Sequence, residues 1–221
     1  QGVFLNPDYT FTEQGKGVAE NIAELKEGAW DLINQAKRQD DRIAIHYSQA
    51  SIHAMQYLGI RETPVVIWKT YVDLLEDMGY QYDFVSYEQI EQGALGEYKV
   101  LILPGSVALS IKEIEEIQSF VQNGGITIAD GLTGLMDDNI CYFNDSQFDD
   151  LFGIVRTNEL LRKQPNSISL ISDLSSNLPT GTSFNYSPLQ EINLQPGAKA
   201  YAISTIEEIP ALIVNGVGAG Y

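Results

Sequence analysis

A single cysteine, Cys141, stands in 221 residues. One thiol forms no internal disulfide, so the redox compartment stays open. Histidine is almost as scarce, with only His46 and His53, and no His-x-x-x-His spacing or second cysteine joins them. Such a donor set holds no first-row metal ion, and neither metal nor cofactor is expected. Basic charge is short too: 13 Lys plus Arg face 30 Asp plus Glu, a formal net charge of −17. Nucleic acid and anionic membranes are bound through clustered cations that release counterions, which excludes both as partners. No apolar run approaches the roughly 20 residues of a membrane helix. The N-terminus, QGVFLNPDYTF, lacks the basic start and apolar stretch of a secretory signal. Both phosphate-cradling patterns, Gly-x-x-x-x-Gly-Lys-Ser and Gly-x-Gly-x-x-Gly, are missing.

What is present is apolar material for a core. Hydrophobic residues make up 44% of the chain, well above the signature of disorder, so a folded protein of one large domain, or of one domain plus an appendage, is expected. The periodicity predicts a Gly-containing arm over 1–17 and a helix over 18–38, with Ile22, Leu25, Ala29, Leu32, Ile33 and Ala36 on one stripe. Next come a buried strand at Ile43–Tyr47 and a helix opened by Thr63 as N-cap and Pro64 as its first residue. That helix runs to Gly79, its buried stripe formed by Ile67, Tyr71, Leu74, Leu75 and Met78. Strands follow at 80–86 and 99–104. A third helix starts at the capping box Ser110-Ile-Lys-Glu113, carries Ile111, Ile114, Ile117 and Val121, and stops at Gly124-Gly125 before the strand Ile126–Ala129.

Strands alternating with helices specify an α/β fold with a mostly parallel sheet covered on both faces. Beyond Gly153 the pattern changes to short β-rich pieces at 167–172, 182–186, 198–204 and 209–215. These predict hairpins, or antiparallel edge strands appended to the same sheet, near the C-terminus. Both chain ends read as cuts through a longer protein.

In an open α/β sheet ligands lie beyond the carboxyl ends of the strands. The candidate crevice residues are therefore His46, Tyr47 and Ser48, with Ser51, after the first strand, Gly105 and Ser106 after the third, and Asp130 after the fourth. The loop Leu103-Pro-Gly-Ser106 is similar to the strand–Pro-Gly loop that supplies an oxyanion-hole amide in class I glutamine amidotransferases. That family's next strand ends in a Gly-x-Cys-x-Gly elbow, whereas this one reads Ile128-Ala-Asp-Gly-Leu-Thr-Gly134. Without a thiolate there, no acyl-enzyme forms. Cys141 lies some ten residues later among acidic neighbours that disfavour a thiolate, and no downstream His–Glu pair follows.

Other constellations read as surface. The pairs Asp40-Asp41, Glu115-Glu116, Asp137-Asp138, Asp149-Asp150 and Glu207-Glu208 are adjacent in sequence and so point apart. Each is expected on a solvated face rather than as the opposed carboxyls of a glycosidase. The stretch from Asp137 to Asp150 lacks calcium-loop spacing. Asn144-Asp-Ser146 is formally a glycosylation sequon, informative only in a secreting eukaryote.

Taken in order, Arg42-Ile-Ala-Ile-His-Tyr-Ser48, Gly96-Glu-Tyr-Lys-Val-Leu-Ile-Leu-Pro104, Phe120-Val-Gln-Asn-Gly-Gly125, Phe152-Gly153 and Pro210-Ala-Leu-Ile-Val214 are similar to the middle domain of family 42-type β-galactosidases. That trimerisation domain is flavodoxin-like and amidotransferase-like, without the nucleophile. The resemblance implies that residues 41–221 are this domain, truncated at its C-terminus, and that residues 1–40 are an arm and last helix left over from a preceding (β/α)8 barrel. It also implies a non-catalytic role. The domain would pack on its own catalytic barrel and on neighbouring subunits, form a homotrimer, and help wall a neighbour's pocket for a carbohydrate substrate. The family's catalytic glutamates lie in the barrel, so no catalytic residue falls in this chain. The alternative is a stand-alone amidotransferase-like protein that binds a small molecule or hydrolyses a substrate around His46, Ser48 and Asp130.

Overall fold

The computed structural model describes residues 3–26, 28–60, 64–144, 148–160, 166–186, 190–205 and 208–221. The chain divides into two compact units, residues 1–39 and 40–221. In the first, two helices replace the single predicted one: α1 (Glu13–Lys26) and α2 (Ala29–Gln35). Gly28 stands between them at φ 141°, a conformation that L side chains rarely adopt, and the helical ladder ends there. Ile22, Leu25, Leu32 and Ile33, predicted as a buried stripe, are 46–73% exposed within this unit. Its tight point is Gly15, where a Cβ would lie 2.2 Å from the Phe4 carbonyl oxygen.

The second unit is built on β1 (Ile43–Tyr47), β2 (Tyr82–Ser86), β3 (Val100–Leu103) and β4 (Ile126–Ala129), a parallel sheet in the order β2-β1-β3-β4. Between them lie α3 (Gln49–Tyr57), α4 (Pro64–Asp77), α5 (Tyr87–Glu91) and α6 (Ile111–Gln122). Alternation along the strands divides the core between two faces. Ile43, Ile45 and Ile102 pack with Leu75 of α4. Ala44, Leu101 and Leu103 point the other way, onto Ile90 of α5 and Ile114, Ile117, Phe120 and Val121 of α6. The Ser110–Glu113 capping box forms as predicted, and a second one, Ser86 with Gln89, opens α5. Thr63, predicted as the N-cap of α4, lies outside the described residues. Leu74, Met78 and Ile111 are 54%, 58% and 52% exposed, so the apolar stripes of α4 and α6 are narrower than their periodicity suggests.

After α7 (Asp149–Phe152) come β5 (Ile154–Leu160), β6 (Asn166–Leu170), β7 (Ser183–Tyr186), β8 (Gln190–Leu194), β9 (Lys199–Ser204) and β10 (Pro210–Val214). They are antiparallel, as predicted, but do not extend the parallel sheet. They form a separate four-stranded sheet, β10-β9-β6-β7, and a two-stranded ribbon, β5-β8. Strand pairing is decided by long-range packing, which local pattern does not encode. The last residue, Tyr221, lies along β4: its N–H donates to Gly125 and its carbonyl accepts from Thr127 at 2.7 Å. Among the described residues no helix is long and apolar enough to cross a membrane.

Candidate functional site

The sheet switches direction between β1 and β3, because the chain passes from β1 outward to β2 and then back to β3. β1 delivers His46 and Tyr47 to that point, with Ser48 following; β3 leads into Pro104, Gly105 and Ser106. His46 Nδ1 lies 2.8 Å from Ser106 Oγ, and its Nε2 lies 2.9 Å from Glu113 Oε1. The other Glu113 oxygen accepts from the Ser110 backbone N–H at 2.7 Å, and Ser110 Oγ donates to Glu91. A carboxylate only accepts, so it takes the Nε2–H of His46 and leaves Nδ1 to accept the Ser106 hydroxyl.

Serine, histidine and glutamate in one chain are the residue types of a nucleophilic hydrolase. Their burial contradicts that use. Ser106, His46 and Glu113 are 1%, 1% and 2% exposed, so no substrate reaches the hydroxyl. What the chain of bonds does is tie β1, the loop after β3 and the first turn of α6 together through fully satisfied polar groups.

The loop amide that would serve as an oxyanion donor is also engaged, since Gly105 N–H donates to Asp130 Oδ2 at 2.6 Å. Gly105 has φ 57°, and a Cβ there would sit 3.0 Å from the Met55 terminus. Met55 of α3, with Ala54, packs against Val107, Ala108, Leu132, Leu135 and Met136, covering the carboxyl-end loops with apolar side chains. Ser48 proves to be the N-cap of α3, accepting from Ser51 N–H at 3.1 Å, and Ser51 Oγ bonds both the N–H and the carbonyl of Ala108. Tyr47 stands apart, with its ring 5.2 Å from that of Trp68. His53 and Cys141 face solvent. Of the candidate residues, then, the fold joins His46 to Ser106 and Gly105 to Asp130, and leaves Tyr47 and Ser48 in other contacts.

Burial pushes the Asp130 carboxyl up to about 6, against the pull of the Gly105 N–H and the Thr133 hydroxyl. Burial, and secondarily the Asp130 charge, pushes the Tyr71 phenol up to about 12. Asp149 corrects the expectation of solvated acidic pairs: it is 8% exposed, and its Oδ1 lies 2.9 Å from Nε of the buried Arg156. Arg156 Nη2 donates to the Thr133 carbonyl at 2.7 Å, anchoring the loop after β4. Glu113 and Arg156 were not singled out from sequence. A capping box signals a helix start, but nothing in it announces a bond to a histidine 67 positions away. Among the described residues no three His, Cys, Asp or Glu side chains gather as a metal site would require.

The geometry is thus an α/β scaffold whose crevice is filled. Comparison with known protein families gives a match to the β-galactosidase trimerisation domain over residues 41–220. The chain belongs to that family. Solved structures show the same fold at low identity. A β-galactosidase from Bacillus circulans matches at TM-score 0.76 and 23% identity, over 95% of this chain and 31% of its own. One from Rahnella sp. R3 matches at TM-score 0.73 and 22% identity, over 95% and 31%. An exo-β-1,4-mannosidase from an Opitutaceae bacterium, strain TAV5, matches at TM-score 0.58 and 14% identity, over 98% and 35%. The trimerisation-domain chain therefore spans about a third of the length of these structures. A comparison with curated proteins found no match.

Proposed function

We propose that residues 41–220 are the non-catalytic assembly domain of a β-galactosidase-like glycoside hydrolase. In this reading the domain packs on its own barrel and on neighbouring subunits, holds a homotrimer together, and borders a neighbour's carbohydrate pocket. Residues 1–40 are then the arm and last helix of that barrel. The observation that carries the reading is the family match over 41–220 on a scaffold whose Ser106–His46 pair is buried.

Exposed apolar surface supports it. In the second unit Ile126, Ile128, Leu212 and Val214 are 40–45% exposed around a 550 Å³ cavity, and in the first unit Trp30, Leu32 and Ile33 are 55–73% exposed. Surfaces of this kind mark association sites. A stand-alone hydrolase using His46, Ser48 and Asp130 finds no support, because His46 is sealed and Ser48 caps α3.

The test is the size of the full-length gene product by sedimentation, with residues 41–220 present and excised. The expected result is a trimer that falls to monomer on excision. A full-length product that is monomeric with the domain in place overturns the reading.

A further inference from the structure

At the amino ends of β1 and β3, opposite His46 and Asp130, lies a cavity of 420 Å³ lined in part by Arg42 and Lys99. Arg42 holds φ 60°, a left-handed conformation unfavourable for any residue with a Cβ. Its carbonyl accepts from the N–H groups of Lys99 and Val100 at 2.8 and 3.2 Å, and its Nε donates to the Glu97 carbonyl at 2.8 Å. The guanidinium is thus held by one edge. Its two terminal nitrogens, and the Lys99 ammonium, have no ion pair among the described residues. Three other cations of this unit are engaged, Lys69 with Asp73, Arg156 with Asp149 and Lys199 over the Tyr201 ring, whereas Lys112, exposed on α6, has no ion pair among the described residues.

Gly96 and Gly124 contribute backbone rather than side chains to the lining, which leaves the cations approachable. Among the described residues lining it Glu116 is the one carboxylate, so these residues carry one net positive charge within a chain of −17. Of the nearby acids, Asp40 is bonded to Arg42 N–H and Asp41 to Gln81 N–H.

We propose that this cavity is the seat for a carboxylate side chain presented by a second copy of the chain, an inference that rests on the assembly reading. Two copies each carrying −17 repel at long range, so close contact favours the few places where cations lack partners. A fixed guanidinium edge suits a carboxylate, which it can meet with two parallel N–H groups. A cation seat on one copy facing a carboxylate elsewhere on the next is a head-to-tail contact, the kind that closes into a ring such as a trimer.

Two measurements on this chain test the proposal. In sedimentation at 500 mM NaCl, where the general repulsion between copies is screened, self-association should weaken at least tenfold in the Arg42→Gln/Lys99→Gln double variant, whose fold is checked by circular dichroism. In nitrogen–proton NMR, acetate should shift the Arg42 Nε–H of wild type in a saturable way, and Arg42→Gln should lack that site. Association unmoved by the double variant overturns the seat while leaving the assembly reading intact. A chain that binds acetate but stays monomeric overturns the second copy as occupant. An Arg42 Nε–H unmoved by acetate overturns the seat itself.

Discussion

Replacing Glu113 with alanine should lower the stability of the 40–221 unit by about 3 kcal/mol, read as the urea midpoint at pH 7. The carboxylate is 2% exposed and serves two donors at once, His46 Nε2–H and Ser110 N–H, while Ser110 returns the capping bond to Glu113 N–H. Alanine leaves both donors buried without an acceptor and removes half of the cap on α6. Glu113→Gln should cost much less. Its amide oxygen can still accept from Ser110, and its NH2 can donate to His46 if the imidazole changes tautomer and gives its Nδ1–H to Ser106. The tautomer change is visible in the imidazole nitrogen shifts. Equal losses for alanine and glutamine would contradict a hydrogen-bonded brace and leave only lost side-chain volume.

Asp130→Asn should act in the opposite direction. The folded carboxyl is pushed up to about 6 because burial disfavours its charge. Between the ordinary aspartate value near 4 and that point, the folded chain holds a proton that the unfolded chain has released. Stability from this group is therefore full below pH 4 and falls as pH rises through 6, by up to roughly 3 kcal/mol. Asparagine offers the Gly105 N–H the same oxygen acceptor without a charge. The variant should match wild type near pH 4 and exceed it at pH 7.5 in urea midpoint. A variant weaker than wild type at pH 7.5 would show that the charge itself holds the loop after β3.

The same residues mark the boundary of what the sequence made legible. Ile43–Tyr47 and Val100–Leu103 were readable because doubly covered parallel strands are continuous apolar runs. Ser110-Ile-Lys-Glu113 was readable as a helix start because the capping box is a local device. α3 was missed: its nine residues carry a weak apolar face, and Ser48, its N-cap, and Ser51 in its first turn were read as crevice lining instead. β5 and β8 escaped because residue type does not follow burial in this ribbon, as with charged Arg156 buried beside exposed Val155. His46 and Ser106 were located on their strand ends. Their bond, and the part Glu113 plays in it, join positions 60 and 67 residues apart, which only the folded backbone brings together.

We infer that this Ser–His–Glu chain braces the fold and performs no chemistry. The most direct test is turnover of a chromogenic β-galactoside and of a p-nitrophenyl ester by the purified chain, wild type and Ser106→Ala. The expected result is no turnover above buffer for either protein. Turnover by wild type that disappears in a folded Ser106→Ala would contradict it.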